Sequence, residues 1–217
     1  MKIALTGTTS IGKSTLINDF IKNWRNYGTP QETYRDILKQ KNLKHSSQSS
    51  EETQQIVLEF LLKQLETYSK EPNVIFDRCP LDNLAYTSWL NLKGKASDKF
   101  LDETRIAVRE SMRKLDIIFY LPITTAGLVP IVNDGFRDID PIMREEVDNI
   151  FKAMQISWHS GDGRIAPEND SPALIEIYGN PQQRIEMIKL YLNEKGEPFG
   201  EEQSLIADPS LYSNLIH

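Results

Sequence analysis

The sequence predicts an open α/β fold: a doubly wound parallel sheet with helices on both faces, in three layers. Three observations predict it. Short apolar runs recur at Ile3-Ala4-Leu5, Val74-Ile75-Phe76-Asp77, Ile117-Ile118-Phe119-Tyr120-Leu121 and Leu174-Ile175-Glu176-Ile177. Each is too short for a helix and apolar on consecutive positions, as strands buried on both faces are. Longer stretches with apolar residues at helical spacing separate them. Finally, the first run leads directly into Gly7-Thr8-Thr9-Ser10-Ile11-Gly12-Lys13-Ser14, and a helical pattern follows.

Along the chain, Leu16, Ile17, Phe20, Ile21 and Trp24 mark the first helix, and Tyr27-Gly28-Thr29-Pro30 marks a turn. Gln31 to Leu38 reads as a short strand running into a helical turn at Tyr34–Leu38. Lys39 to Ser50 is polar and lysine-rich, an exposed loop. Ser49 and Glu52 have capping-box spacing before Ile56, Leu58, Phe60, Leu61, Leu65 and Tyr68, which predicts a helix of about five turns. After the second strand, Leu84, Ala85, Trp89 and Leu90 define a helix that Gly94 ends, and an amphipathic segment spans about Asp98 to Lys114. Asn133 to Arg144 reads as a mobile loop. Pro141 suits the first turn of a helix bearing Val147, Ile150, Phe151 and Met154. Asn180-Pro181 opens the last helix. One domain over residues 1–193 is expected, with a lid at about 133–144 and a tail or arm at 194–217.

The eight residues from Gly7 to Ser14 match G-x-x-x-x-G-K-[ST] in the strand–loop–helix context that the motif requires. Gly7 and Gly12 permit backbone conformations and close approaches that a Cβ would forbid. Amides of Thr8, Thr9, Ser10, Ile11 and Thr15 can then converge with the helix N-terminus on an anionic phosphate. Lys13 would reach the β- and γ-phosphates, and the Ser14 hydroxyl would ligate Mg²⁺. A bound nucleoside triphosphate is the expectation. Asp77 closes an apolar strand, the usual place for a carboxylate that serves the metal. Arg78 follows it and could pair with an anionic substrate. Asp82 reads first as a cap for the following helix.

Composition narrows the classes. Of 217 residues 39% are hydrophobic and 26% charged, which suits one globular core. No apolar run is long enough to cross a bilayer, and a strand at the N-terminus leaves no room for a leader, so a cytoplasmic protein without a membrane partner is expected. One cysteine, Cys79, excludes an intramolecular disulfide and a cysteine-rich zinc site. The net charge of −6 tilts the reading from long nucleic acids towards small phosphorylated ligands, although a local basic cleft stays open.

Three ordered segments carry a resemblance: Gly7 to Leu16, Asp77-Arg78-Cys79-Pro80-Leu81-Asp82-Asn83-Leu84-Ala85-Tyr86, and Asn133-Asp134-Gly135-Phe136-Arg137-Asp138. Together they resemble the P-loop kinases of nucleosides and nucleotides, particularly the nicotinamide-riboside-kinase-like and thymidylate-kinase-like branch, over about Met1 to Leu192. The resemblance implies an ATP donor with Mg²⁺, a hydroxyl or phosphate acceptor, an Asp-Arg pair in the acceptor site, and an arginine-bearing lid. It places Arg137 on the migrating phosphoryl group, with Arg144 as a second candidate. Glu32, Arg35 and Asp36 fall where such kinases orient the acceptor, with Asp36 a candidate base and Arg35 or Arg78 a holder for an acceptor phosphate. Tyr86 and Phe136 are the candidates for a base-stacking wall; the aromatics Tyr34, Phe60, Tyr68 and Trp89 read mainly as core.

The leading expectation is an ATP-dependent phosphotransferase acting on a nucleoside or nucleotide, with a deoxynucleoside monophosphate preferred. Alternatives are a kinase of hydroxymethylated bases or ends in DNA, to which the cluster Lys39, Lys41, Lys44 could contribute, and a regulatory switch with no acceptor. A homodimer is among the options. His45, His159 and His217 lack metal-ligand spacing and read as surface residues.

Overall fold

The computed structural model describes residues 1–43, 48–124, 140–161 and 164–199. Among these, four strands and seven α-helices alternate in the expected way. The order is β1 (Lys2–Thr6), α1 (Lys13–Asn23), α2 (Tyr34–Gln40), α3 (Glu51–Thr67), β2 (Val74–Asp77), α4 (Pro80–Leu92), α5 (Asp98–Ser111), β3 (Ile117–Tyr120), α6 (Pro141–Ser160), β4 (Ala173–Glu176) and α7 (Pro181–Ile188). The sheet is wholly parallel, in the order β2-β1-β3-β4. Ile3 stands opposite both Ile75 and Ile117, and Phe119 opposite Ile175.

Strand periodicity divides the apolar residues between two cores. Side chains two apart share a face. Ile3, Leu5, Ile75, Ile117 and Phe119 therefore pack on one side with Leu16, Ile17 and Phe20 of α1 and Ile185 and Ile188 of α7. Ala4, Val74, Phe76, Ile118 and Tyr120 pack on the other with residues of α3, α4, α5 and α6. This explains why the strands read as continuous apolar runs. Burying each large side chain contributes roughly 1.5–3 kcal/mol. The parallel arrangement brings the carboxyl ends of β1, β2 and β3 to one edge, where the chain turns into the glycine loop, Arg78 and Pro122.

Local chemistry shifts four boundaries from the sequence reading. Gln31 to Thr33 is not a strand; among the described residues the outer edge of β2 carries only a bridge from Gly28 to Val74. Helix α2 begins at Tyr34 because Thr33 and Asp36 form a capping box, with Asp36 Oδ2 accepting from the Thr33 amide at 2.8 Å and from its hydroxyl at 2.7 Å. Ser50, not Ser49, caps α3 through the Thr53 amide, while Ser49 accepts from Gln54 Nε2 at 2.8 Å. The segment after α5 tightens into a 3₁₀ turn over Met112–Lys114. Asp140 caps α6, accepting from Ile142 and Met143, so Arg144 is helical rather than part of a loop. Residues 125–139, which hold the rest of the expected lid, lie outside the described residues.

Past α7 the chain folds back as a short hairpin, bridged between Leu192 and Pro198. Trp24 Nε1 donates to the Asn193 carbonyl at 2.8 Å and Tyr27 Oη to that of Gly196 at 2.6 Å. Residues 194–199, grouped with the tail in the sequence reading, thus pack with Asn193 on the end of α1. Among the described residues no helix is long and apolar enough to cross a membrane.

Candidate phosphate and acceptor site

The loop between β1 and α1 is shaped by its glycines. Gly7 has φ of 135°, and a Cβ there would lie 2.5 Å from the Leu121 carbonyl oxygen. Only glycine lets the loop lie so close to the exit of β3. Gly12, at φ 89°, stands at the N-terminus of α1, whose first turn carries no acidic residue. The helix therefore presents its positive end to the loop without a resident anion. Lys13 is buried and donates from Nζ to the carbonyls of Gly7 at 2.6 Å and Thr8 at 2.7 Å. Desolvation, followed by the nearby Arg78 guanidinium, lowers its pKa to about 7. Ser10, Ile11, Gly12, Lys13, Ser14 and Thr15 line one pocket with Arg35 and Asp77.

Ser14 Oγ donates to Asp77 Oδ2 at 2.9 Å, joining α1 to the end of β2. Asp77 Oδ1 is buried without a partner. A hydroxyl and a carboxylate with a spare lone pair are the hard oxygen donors that suit Mg²⁺, which takes few protein ligands and keeps waters and phosphate oxygens. Among the described residues no group of three or more His, Cys, Asp or Glu could hold a metal by itself.

Arg78 adopts φ of 84°, a sparsely populated conformation for a residue with a Cβ. Its amide still donates to the Leu5 carbonyl at 3.0 Å, while its side chain turns into a cleft. The guanidinium is held between the rings of Tyr34 and Tyr86, at 5.1 and 5.3 Å from their centroids. It donates to Asp82 Oδ1 at 2.7 Å, both side chains being buried. The other oxygen of Asp82 accepts from the Cys79 amide and from Thr6 Oγ1. Asp82 thus caps α4, as expected, and also neutralises Arg78. Burial raises the Asp82 pKa, opposed by Arg78 and then Lys13.

Thr9 also lines the cleft, whose cavity volume is about 40 Å³. Gln54 and Asn83 form a polar pair in its wall. Asn83 Nδ2 donates to the Gln54 backbone carbonyl at 2.8 Å and to its Oε1 at 2.9 Å. Because a carbonyl only accepts, this orients the Asn83 amide, and Asn83 Oδ1 is left buried without a partner. Leu38, Val57 and Leu61 supply apolar wall.

The other sequence candidates distribute as follows. Thr8 and Thr9 are buried in the loop, and Thr9's carbonyl accepts from Arg144 Nε at 3.0 Å. Tyr86 lines the cleft, together with Tyr34, which the sequence reading assigned mainly to core. Arg35 lies against the Tyr34 ring and faces the loop pocket. Glu32 is exposed, its main-chain carbonyl accepting from Gln64. Asp36 is occupied by its helix cap, which holds its pKa below the usual carboxylate range through the Thr33 side chain and then its amide. Phe136 and Arg137, with the whole Asn133–Asp138 motif, lie outside the described residues, as do Lys44, His45 and His217. Gln54, Asn83 and Arg184 were missed by the sequence reading. Arg184, from α7, donates to the Ile11 carbonyl at 2.7 Å.

A glycine loop on the first strand of a parallel sheet, with a buried lysine and a serine–aspartate pair beyond it, defines a P-loop α/β protein. The chain belongs to the AAA domain family (AAA_28), whose model matches residues 2–159. No curated protein matches it in sequence. Among solved structures it is similar to deoxyadenosine kinase from M. mycoides with products dCMP and a flexible dCDP bound, with a TM-score of 0.64 and 19% identity over 87% of this chain and 96% of that one. NadR protein in complex with NR gives a TM-score of 0.60 at 14% identity; 85% of this chain is covered, which spans about half (49%) of NadR. Thymidylate kinase from Candida albicans gives 0.51 at 15% identity, over 92% of this chain and 94% of the other. These likenesses establish the shared fold.

Proposed function

We propose that the protein is an ATP-dependent kinase that phosphorylates a nucleoside or nucleotide. The observation that carries this reading is the pairing of two pockets across Asp77-Arg78: one of amides and a buried lysine, the other walled by tyrosines and leucines with an amide pair at its side. A binding switch needs only the first. A phosphotransferase needs both, with the donor phosphate and the acceptor hydroxyl meeting between them. The structural neighbours include a deoxyadenosine kinase and a thymidylate kinase, which agrees with it.

In this reading Lys13 and the amides of residues Gly7 to Thr15 hold the triphosphate. Ser14 and Asp77 would hold Mg²⁺, which when bound supplies charge neutralisation to the phosphate oxygens. The acceptor oxygen forms a bond to the γ-phosphorus as the bond to the β-bridging oxygen breaks, and the acceptor proton leaves to a carboxylate or water. Asp36, whose Oδ2 is committed to its cap, is poorly placed to take that proton, and Asp77 Oδ1 is the oxygen left for the metal. Arg137 remains proposed for the migrating phosphoryl group.

Asp82 neutralises Arg78, which favours an uncharged nucleoside over the monophosphate preferred from the sequence. The spare Asn83 Oδ1 favours a base that offers an amino group, since a carbonyl edge would leave two acceptors facing each other. The test is transfer of labelled phosphate from ATP to a panel of nucleosides and their monophosphates. Amino-bearing nucleosides should be the best acceptors, and Lys13→Ala should lower turnover by at least about a hundredfold. Transfer to no member of the panel would overturn the reading.

A further inference from the structure

Arg184 is buried at 3% exposure beneath the crown of the glycine loop. It reaches there from α7, across 173 residues of sequence, and its Nη1 holds the Ile11 carbonyl. Its Nε is buried without a partner. No carboxylate among the described residues pairs with it, and burial alone lowers its pKa, with no opposing acid. A buried cation without a counter-charge is costly, and proteins rarely keep one unless a ligand supplies the missing anion. Other buried cations near the site differ. Arg78 has Asp82, and Lys13 has two carbonyls together with the coulombic attraction of Asp82 and Asp77.

We propose that Arg184 is a positioning residue for the donor: it fixes the Ser10–Gly12 crown through Ile11 and supplies, from behind the loop, a positive charge that the bound triphosphate balances. This rests on the loop's being the triphosphate site. Among the described residues no acid offsets this charge, and triphosphate binding would relieve it. Affinity for the phosphate chain therefore gains from a group that need not touch it.

Two substitutions test the charge: Arg184→Gln loses it together with the reach to Ile11, since its amide nitrogen ends where the arginine Nε lies, and Arg184→Lys retains it while losing the planar fork. Binding of ATP and of inorganic tripolyphosphate, the latter removing any part played by the base, is measured by calorimetry on the full chain, with melting curves of the free proteins. Arg184→Gln should melt no lower than wild type and bind both ligands about tenfold more weakly, whereas Arg184→Lys should stay within about threefold. Wild-type affinity in Arg184→Gln, or its failure to fold, would show that the side chain is only a brace and overturn the proposal. If wild type binds neither ligand, the triphosphate reading itself fails, an outcome that these variants do not mimic.

Discussion

Lys13 illustrates how a residue can be poised by what surrounds it. In the free protein its ammonium is buried and held by two carbonyls of its own loop, and desolvation brings its pKa down to about 7. A triphosphate would favour the charged form and raise that value again. The sign follows: at pH above the lowered pKa, ATP binding takes up a proton, and well below it does not. Calorimetry in buffers of different ionisation enthalpy should therefore show proton uptake growing from neutral to mildly alkaline pH, and Lys13→Met should abolish it. At the same scale, Gly7 and Lys13 were legible in the sequence because their meaning is local, fixed by neighbours within one loop. Asn83 and Gln54 were not, because 29 residues separate them and their pairing exists only once α3 and α4 pack.

Among the elements, α2 shows a cap that occupies the carboxylate expected from the sequence to be a base. Asp36 was a candidate base by position, yet its oxygen accepts both the Thr33 amide and hydroxyl. Asp36→Asn should cost about 0.5–1 kcal/mol through the weakened cap and lost helix-end charge, and lower phosphate transfer only slightly. A base would lose about a hundred- to ten-thousandfold. The stability effect also has a direction in pH. The folded pKa is depressed, so the contribution is present above the unfolded carboxylate pKa and disappears as pH falls through the folded one. Melting curves of both proteins should converge in acid. The strand misassigned at Gln31–Thr33 has the same origin: a capping box outweighed a weak extended preference. In α6, by contrast, Pro141 marked the helix start correctly, and Arg144 followed from it onto Thr9.

At the scale of the whole molecule, the two apolar faces of each strand made the layered fold readable, since period-two division between two cores leaves continuous apolar runs. Long-range closure was not readable. Arg184 meets Ile11, and the hairpin after α7 meets Trp24 and Tyr27, only through the packing of α7 on α1. That hairpin depends on Gly196, at φ 76°, where a Cβ would come 2.6 Å from the Tyr27 ring. Gly196→Ala should cost about 1–3 kcal/mol and lower the melting temperature by several degrees, as scanning calorimetry would measure. Cys79 has a quieter consequence. As the sole sulfhydryl of the chain, 1% exposed behind Arg78 and driven far above its ordinary pKa by burial, it resists alkylating reagents while α4 stays seated. The molecule thus carries its own chemical clock: each modification event counts an excursion of the start of α4 beside the Arg78 cleft, with no label engineered in.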